Sequence, residues 1–211
     1  RSALNEIDFN GRIVIGEGER DEAPMLYIGE KVGSGNGDEV DIALDPLEGT
    51  TITSKGMPNS LAVIAAAKKG CLLHSPDTYM NKIAIGNGYS NDVIDLDASV
   101  KDNIKSLADA KKVKPSDISA CVLERDRHSE IIESLREIGS KVILIPDGDV
   151  AGVMMTSQEE IDVDIYFGTG GAPEGVLAAA ALQCIGGQMQ TRLVIRNDDE
   201  KKRAEKAGIK D

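Results

Sequence analysis

Residues 45–50 read Asp-Pro-Leu-Glu-Gly-Thr and directly follow the apolar run 40–44, so they bring oxygen-bearing side chains together. Pro46 fixes φ and is predicted to end the strand, and Gly49 allows a tight turn. Magnesium and manganese prefer hard oxygen ligands, commonly a few carboxylates with substrate phosphate completing the set. An Asp-Pro turn with solvated acids is the alternative for the segment taken alone. The metal hypothesis places two carboxylates and a hydroxyl in one loop: Asp45, Glu48 and Thr50.

Two further segments could add ligands to the same ion. Residues 16–19, Gly-Glu-Gly-Glu, also follow an apolar strand and could bring Glu17 or Glu19 close to it. Residues 168–175, Gly-Thr-Gly-Gly-Ala-Pro-Glu-Gly, precede a helix, where accessible amides and the helix dipole favour an anion. Glu174 is then either a ligand or a first-turn acid favoured by the dipole. The segment lacks the spacing of a nucleotide-binding loop.

The elements that must position these residues fall into two halves. In the first half, short aliphatic runs predict a mixed or antiparallel sheet, and a helix is predicted between the first two strands. The predicted elements are strands 13–15 and 40–44, a helix over 21–32, a hairpin of 60–67 with 70–73, and a strand at 82–85.

In the second half, apolar strands alternate with helical segments, and this pattern predicts a parallel sheet with crossover helices. The strands are 120–123, 142–145 and 163–167. Ligands bind at the carboxyl ends of such strands, which here lead into polar or glycine-rich segments. We predict an amino-terminal metal-binding lobe over 1–116, in which 87–116 joins the halves, and a carboxyl-terminal α/β lobe over 117–211.

A formal net charge of −12 argues against nucleic acid and anionic membrane as partners, because both need a positive protein surface. No leader pattern or apolar run of membrane-spanning length occurs, which predicts a cytoplasmic protein. An anionic substrate would need help from bound metal or from placed Arg and Lys side chains. The chain opens without Met, as if inside a helix, so a fragment truncated at both ends is expected.

Six segments share a pattern with one known family: residues 16–19, 21–30, 45–50, 76–80, 146–150 and 170–175. Together they resemble the class II fructose-1,6-bisphosphatases of bacteria. The resemblance spans nearly the whole chain and implies the layered α/β sandwich of the lithium-sensitive, metal-dependent phosphatases. It also implies hydrolysis of the 1-phosphate of fructose 1,6-bisphosphate to fructose 6-phosphate in gluconeogenesis, with Mg²⁺ or Mn²⁺, in a homo-oligomer, either dimer or tetramer.

The roles of individual residues come from the same resemblance. Catalysis is assigned to Thr50, Glu48 and Asp45. The implied metal ligands are Glu17, Asp45, Glu48 and Glu174. The implied substrate contacts are Glu48, Gly49, Thr50, Tyr79, Arg125, Asp126, Arg127, Asp147, Gly148, Asp149 and Gly171.

The chain departs from the family pattern in three places, and several functions stay open. The family's amino-terminal region with a ligand Asp in a Gly-Asp-Lys context is not in this sequence, and family members continue past residue 211. The loop 124–127 replaces a common Lys-Pro-Arg, and Arg127 is the surer phosphate contact because guanidinium binds phosphate bidentately. His128 is expected at the surface or capping a helix. The alternatives are a dual fructose and sedoheptulose bisphosphatase, an inositol-monophosphatase-like enzyme, and an inactive metabolite-binding fragment.

Overall fold

The computed structural model describes residues 1–17 and 23–209. Its strands and helices alternate along most of the chain. The strands are β1 (Asn10–Ile15), β2 (Lys31–Val32), β3 (Glu39–Glu48), β4 (Leu61–Lys68), β5 (Tyr79–Ile85), β6 (Ser119–Leu123), β7 (Lys141–Ile145), β8 (Ile165–Gly171) and β9 (Gln188–Val194). The helices are α1 (Thr50–Ser54), α2 (Val100–Lys111), α3 (Ser129–Ile138), α4 (Asp149–Met155), α5 (Ala172–Ile185) and α6 (Asp198–Lys206).

The first sheet has the order β2-β1-β3-β4 and is mixed, as predicted. β1 and β3 are parallel, and β4 is antiparallel to β3. The prediction that Pro46 ends the strand is wrong, because β3 continues to Glu48 through a register shift between Asp45 and Glu48. Such an irregularity accommodates a residue without an N–H group inside a strand. Asp45 and Glu48 therefore lie on a bulged strand end, and the turn follows at Gly49, with φ 86°.

Two predicted elements of the first half are wrong. Residues 23–30 of the predicted helix 21–32 form bends and turns, and residues 31 and 32 form β2; residues 21 and 22 lie outside the described residues. Gly29 has a positive φ, and its N–H donates to the Ile13 carbonyl, so the segment is bound to β1 and does not coil. Residues 70–73 form no strand, and β4 pairs with β3 alone.

The second sheet has the order β7-β6-β8-β5-β9. β6, β7 and β8 are parallel, as predicted, and antiparallel β5 and β9 make the whole sheet mixed. β5 belongs to the predicted amino-terminal lobe by sequence, so the predicted boundary between residues 116 and 117 does not separate the two sheets. The division into lobes stays a prediction. The layered α+β class is confirmed.

Helices α4 and α5 lie between the two sheets. Their apolar residues share one core with Val14 and Ala43 of the first sheet and Cys121 and Tyr166 of the second. α2 and α3 cover the other face of the second sheet, where Leu107 packs with the β5 and β6 side chains. Residues 87–116 therefore contain a helix of the core and not only a connection.

Local signals explain where these helices begin and end. The Ser99 hydroxyl accepts the Asp102 N–H at the start of α2, and the Asn197 side chain accepts the Glu200 N–H at the start of α6. α5 has Pro173 in its first turn and ends at Gly186, with φ 83°. In the described residues, no helix is both long and apolar enough to cross a membrane.

Candidate active site

A cavity of about 270 Å³ opens where the carboxyl ends of β3, β6, β7 and β8 meet. Tyr79, at the start of β5, pairs with Gly171 at the end of β8 and brings a ring to the same edge. Most of the predicted site residues line this cavity, although they come from five separate segments. They are Asp45, Glu48, Gly49, Thr50, Tyr79, Arg125, Arg127, Asp147, Asp149, Gly171 and Glu174.

Three predicted site residues do not line the cavity. Asp126 is exposed and lies beside a neighbouring cavity along α3. Gly148 lies behind the wall, and a Cβ on it would be 3.5 Å from Glu48 Oε2. Glu17 is exposed, two residues beyond β1; because Ile15 pairs with Ala43 in parallel register, Glu17 lies at the same end of the sheet as Asp45. Glu19 lies outside the described residues.

Glu48 is buried with one oxygen engaged and one unpartnered. Its Oε1 accepts the Val150 N–H at 3.3 Å, whereas Oε2 has no hydrogen-bond partner among the described residues. Burial raises the pKa of Glu48 to about 8, and the charge of nearby Asp149 contributes to the rise. A buried acid with an unpartnered oxygen is costly unless a proton or a cation neutralises it.

The pKa values of Glu174 and Asp45 are also raised. Burial raises the pKa of Glu174 first, and repulsion from Asp149 raises it further; its Oε2 is also buried and unpartnered among the described residues. The pKa of Asp45 is raised by burial, against a hydrogen bond from the Leu47 N–H at 2.9 Å. These acids share one cavity and gain from any positive charge placed between them.

The donor set fits a hard divalent cation. The unpartnered oxygens of Glu48 and Glu174 and the carboxylate of Asp45 are the oxygen ligands that Mg²⁺ and Mn²⁺ prefer. Within the described part of the chain, no three His, Cys, Asp or Glu side chains are grouped closely enough to hold a metal ion. A cation would therefore draw the carboxylates inward from their present positions.

Arginine and tyrosine side chains form the opposite wall of the cavity. Arg127 donates from Nε to the Thr169 carbonyl at 2.8 Å, and its guanidinium lies 5.0 Å from the centre of the Tyr79 ring. Arg125 donates to the Pro146 carbonyl at 2.6 Å and contacts Asp147 at 3.5 Å. The carbonyl bonds fix the arginines at the cavity edge, where a phosphate could bind.

His128 is fully buried, so the prediction of a surface position is wrong. It does stand at the start of α3, as predicted, but its side chain makes no capping hydrogen bond there. Its Nδ1 lies 2.7 Å from the Leu123 carbonyl, and its Nε2 accepts the Thr169 N–H at 2.8 Å. These two bonds require a neutral ring with the proton on Nδ1. Burial lowers the pKa of His128, which favours that neutral form. His128 thus ties the arginine loop after β6 to β8.

Sequence reasoning missed two charged residues beside the cavity. Arg196, after β9, lies 4.4 Å from the centre of the Tyr79 ring and donates from Nε to Glu200. Lys82, in β5, is completely buried and forms an ion pair with Asp149. Lys82 pairs with a residue 67 positions away, and Arg196 contacts the ring of Tyr79 on another element, so no local spacing indicates either contact. From sequence alone, a single Lys in a strand is expected to face solvent.

A larger cavity, of about 580 Å³, lies between β4 and α5. Val63, Leu72, Val176 and Ala180 are typical of its apolar lining. Such a surface does not fit a phosphorylated ligand. No predicted site residue lines this cavity, although Gly175 of the glycine-rich segment does.

Stabilisation by manganese should increase with pH. The folded-state pKa of Glu48, about 8, is above its ordinary value of 4.5, so the folded protein keeps a proton that the unfolded chain loses. This contribution to stability is complete below pH 4.5 and is lost as the pH rises to about 8. A bound cation needs the ionised carboxylate and replaces the proton.

Thermal unfolding midpoints in chelator and in Mn²⁺ should therefore differ more at about pH 8 than at about pH 6. The Mg²⁺ series serves as an independent second cation. A difference between the midpoints that stays constant over this range would contradict the role of a raised carboxyl pKa.

The fold is that of a layered α+β protein, with helices between two facing sheets. Its acidic cavity lies at strand carboxyl ends and is edged by arginines, so it can hold a cation beside an anionic ligand. The chain belongs to the family of bacterial fructose-1,6-bisphosphatases encoded by glpX, whose sequence model matches residues 1–211. The resemblance found in the sequence is thereby confirmed.

The chain is similar to fructose-1,6-bisphosphatase 1 class 2 of Escherichia coli strain K12, with 48% identity over 198 residues. It has the same identity over the same length to fructose-1,6-bisphosphatase class 2 of Shigella flexneri. Each match covers 94% of this chain and 59% of the relative. The chain thus spans about three fifths of the length of these curated relatives.

Proposed function

We propose that this chain carries the hydrolytic site of a metal-dependent fructose-1,6-bisphosphatase, which releases the 1-phosphate and leaves fructose 6-phosphate, a step of gluconeogenesis. The observation that carries the proposal is the cavity that joins acids with unpartnered oxygens, Glu48 and Glu174, to the guanidinium of Arg127. One end of this cavity suits a cation and the reacting phosphate, and the other suits a second phosphate. Membership of the family supports the same substrate.

The acids would hold the cation. Glu48, Asp45 and Glu174 supply oxygens, and Glu17 lies at the same sheet end as Asp45. Mg²⁺ or Mn²⁺, when bound, supplies positive charge that neutralises phosphate oxygens and favours attack by water. Which of the two ions serves is decided by comparing their titrations.

The other cavity residues position the substrate. Arg127, with Arg125 beside it, binds the distal phosphate. Among the described residues, Arg127 donates a hydrogen bond only from Nε, so the rest of its guanidinium can contact the phosphate. Tyr79 and Asp147 contact sugar hydroxyls. Fixing the distal phosphate holds the reacting phosphate in place for attack. Thr50, exposed at the start of α1 on the cavity wall, orients the attacking water through its hydroxyl.

The decisive experiment is to measure phosphate release by the purified chain from fructose 1,6-bisphosphate, sedoheptulose 1,7-bisphosphate and inositol 1-phosphate, with Mn²⁺, Mg²⁺ or chelator. We expect release from fructose 1,6-bisphosphate that requires the metal. Comparable release from sedoheptulose 1,7-bisphosphate would make the enzyme a dual bisphosphatase. Preference for inositol 1-phosphate, or no metal-dependent release from any substrate, would contradict the proposal.

The assembly and location proposed with this function are a homo-oligomer, dimer or tetramer, in the cytoplasm. Sedimentation of the purified chain tests the first, and fractionation of cells tests the second. A monomer at all concentrations would contradict the proposed assembly.

A further inference from the structure

Lys82 places a positive charge directly beneath the acidic cavity. It lies in the middle of β5, between β8 and β9, and its side chain has 0% of its surface exposed. Its ammonium group forms an ion pair with Asp149 and donates to the Gly171 carbonyl at 2.7 Å. Lysine is almost never fully buried unless it is paired, so these contacts account for its position.

The glycine-rich segment provides the space for this lysine. A Cβ at Gly170 would lie 3.3 Å from the Lys82 Nζ and would collide with the Asp149 carboxylate. A Cβ at Gly175 would lie 3.1 Å from Lys82 Cε and 2.6 Å from Met80 Sδ. Two glycines that the sequence suggested as an anion cradle therefore also accommodate a buried ion pair.

Asp149, the partner of Lys82, lines the cavity together with the candidate cation ligands Asp45, Glu48 and Glu174. Its carboxylate also lies against the glycine-rich segment, since a Cβ at Gly170 would be 2.2 Å from Asp149 Oδ2. The ion pair thus joins the buried ammonium group of Lys82 to a carboxylate that shares the cavity with the other acids.

We infer that Lys82 is a positioning residue that sets the cation affinity of the cavity: it neutralises Asp149, withholds that carboxylate from a bound metal, and fixes the Gly171 carbonyl at the junction of β8 and α5. Glu174 projects from the first turn of that helix, so the junction also determines where this acid is presented. The inference rests on the proposed function, because it concerns the same cation site.

Removing the lysine charge should therefore strengthen metal binding. In Lys82→Met, a carboxylate beside the cavity loses its counter-charge and the repulsion between Lys82 and a divalent cation disappears. At the distances within one cavity, a single charge changes cation affinity by about tenfold or more. A lysine with only a structural role would, when replaced, loosen the site and weaken metal binding.

The experiment is a titration of the chain with Mn²⁺ alone at about pH 8, in which free Mn²⁺ is read by electron paramagnetic resonance and thermal unfolding is measured in parallel. We expect Lys82→Met to bind Mn²⁺ about tenfold more tightly and Asp149→Asn about tenfold more weakly than the unsubstituted chain. The double variant, which removes both charges, should bind within about threefold of it.

Lys111→Met is the matched control. Lys111 forms a comparable, partly buried ion pair with Asp164, at the other end of the second sheet. Its replacement should lower the unfolding midpoint and leave Mn²⁺ affinity unchanged.

If the unsubstituted chain binds Mn²⁺ and Lys82→Met binds it equally or more weakly, the inference about Lys82 is overturned and the proposed function is unaffected. If neither protein binds Mn²⁺, both the inference and the proposed function are overturned. If Lys82→Met does not fold, the other two variants decide: the double variant must restore the affinity that Asp149→Asn loses. Replacement of both partners avoids leaving an unpaired buried charge, so the double variant is expected to fold.

Discussion

Replacing Thr50 with alanine should lower turnover by about a hundredfold or more, the range that a positioned proton-transfer or water-orienting group contributes. Thr50 is exposed on the cavity wall, immediately after the left-handed Gly49 and two residues after the buried Glu48. Its hydroxyl is therefore carried on a turn whose geometry is set by the bulged end of β3. Thr50→Ser keeps the hydroxyl and should retain part of the activity.

Initial rates at saturating fructose 1,6-bisphosphate and Mn²⁺ test this prediction. Thr51→Ala is the matched control, because Thr51 is the next residue of the same helix and interacts with Asp147 through its backbone N–H at 3.0 Å. We expect the control to stay within about threefold of the unsubstituted rate, as a surface substitution away from the chemistry should. Equal activity of Thr50→Ala and Thr50→Ser would remove the hydroxyl from the mechanism.

The strand ends of the parallel part of the second sheet could be predicted because the signals are local. β6 and β7 are short aliphatic runs followed at once by polar segments, and the rule that ligands bind at strand carboxyl ends then places Arg127 and Asp147 at one edge. Asp45, Glu48 and Thr50 line the same cavity for a related reason, because they follow the apolar part of β3, although the sequence predicts that this strand ends at Pro46.

The errors arise where a distant partner decides the local structure. Pro46 remains in a strand because a register shift against β4 accommodates it, and the shift depends on residues that follow the turn. Residues 23–30 contain apolar side chains at helical spacing, but Met25 and Ile28 are exposed and the backbone bonds to β1. Propensity is a weak guide when tertiary contacts override it.

The charge of the cavity could not be predicted from spacing either. Lys82 of β5 and Asp149 of α4 are 67 residues apart, and they meet because α4 contacts β8 and β5 pairs with β8. The burial of His128 is hard to predict for the same reason, since the contact of its Nε2 with the Thr169 N–H depends on how β6 and β8 are paired. Contacts between side chains on separate elements cannot be predicted from local sequence spacing.

Glu48→Gln should stabilise the metal-free protein and at the same time remove metal-dependent activity. Glu48 is buried, its Oε2 has no hydrogen-bond partner in the described residues, and its pKa is raised to about 8. At about pH 8 and above, the ionised carboxylate weakens the folded state, and a neutral amide of the same shape avoids that cost. We expect a gain of about 1–2 kcal/mol in the free energy of unfolding in chelator.

The same change removes an anionic ligand, so activity at a fixed Mn²⁺ concentration should fall by about a hundredfold or more. Loss of a residue that only hydrogen-bonds a metal ligand lowers activity by about ten- to a hundredfold, and loss of the ligand itself should cost at least as much.

Glu200→Gln is the matched control, because Glu200 is also buried but accepts hydrogen bonds from the Arg196 N–H at 2.7 Å and Nε at 2.9 Å. Those bonds lower the pKa of Glu200, so the control should lose stability and keep its Mn²⁺ affinity. Opposite signs of the stability change at two buried glutamates distinguish an acid kept for a cation from one kept for the fold. Destabilisation in both variants, measured by chemical unfolding in chelator, would contradict the assignment of Glu48 to the cation site.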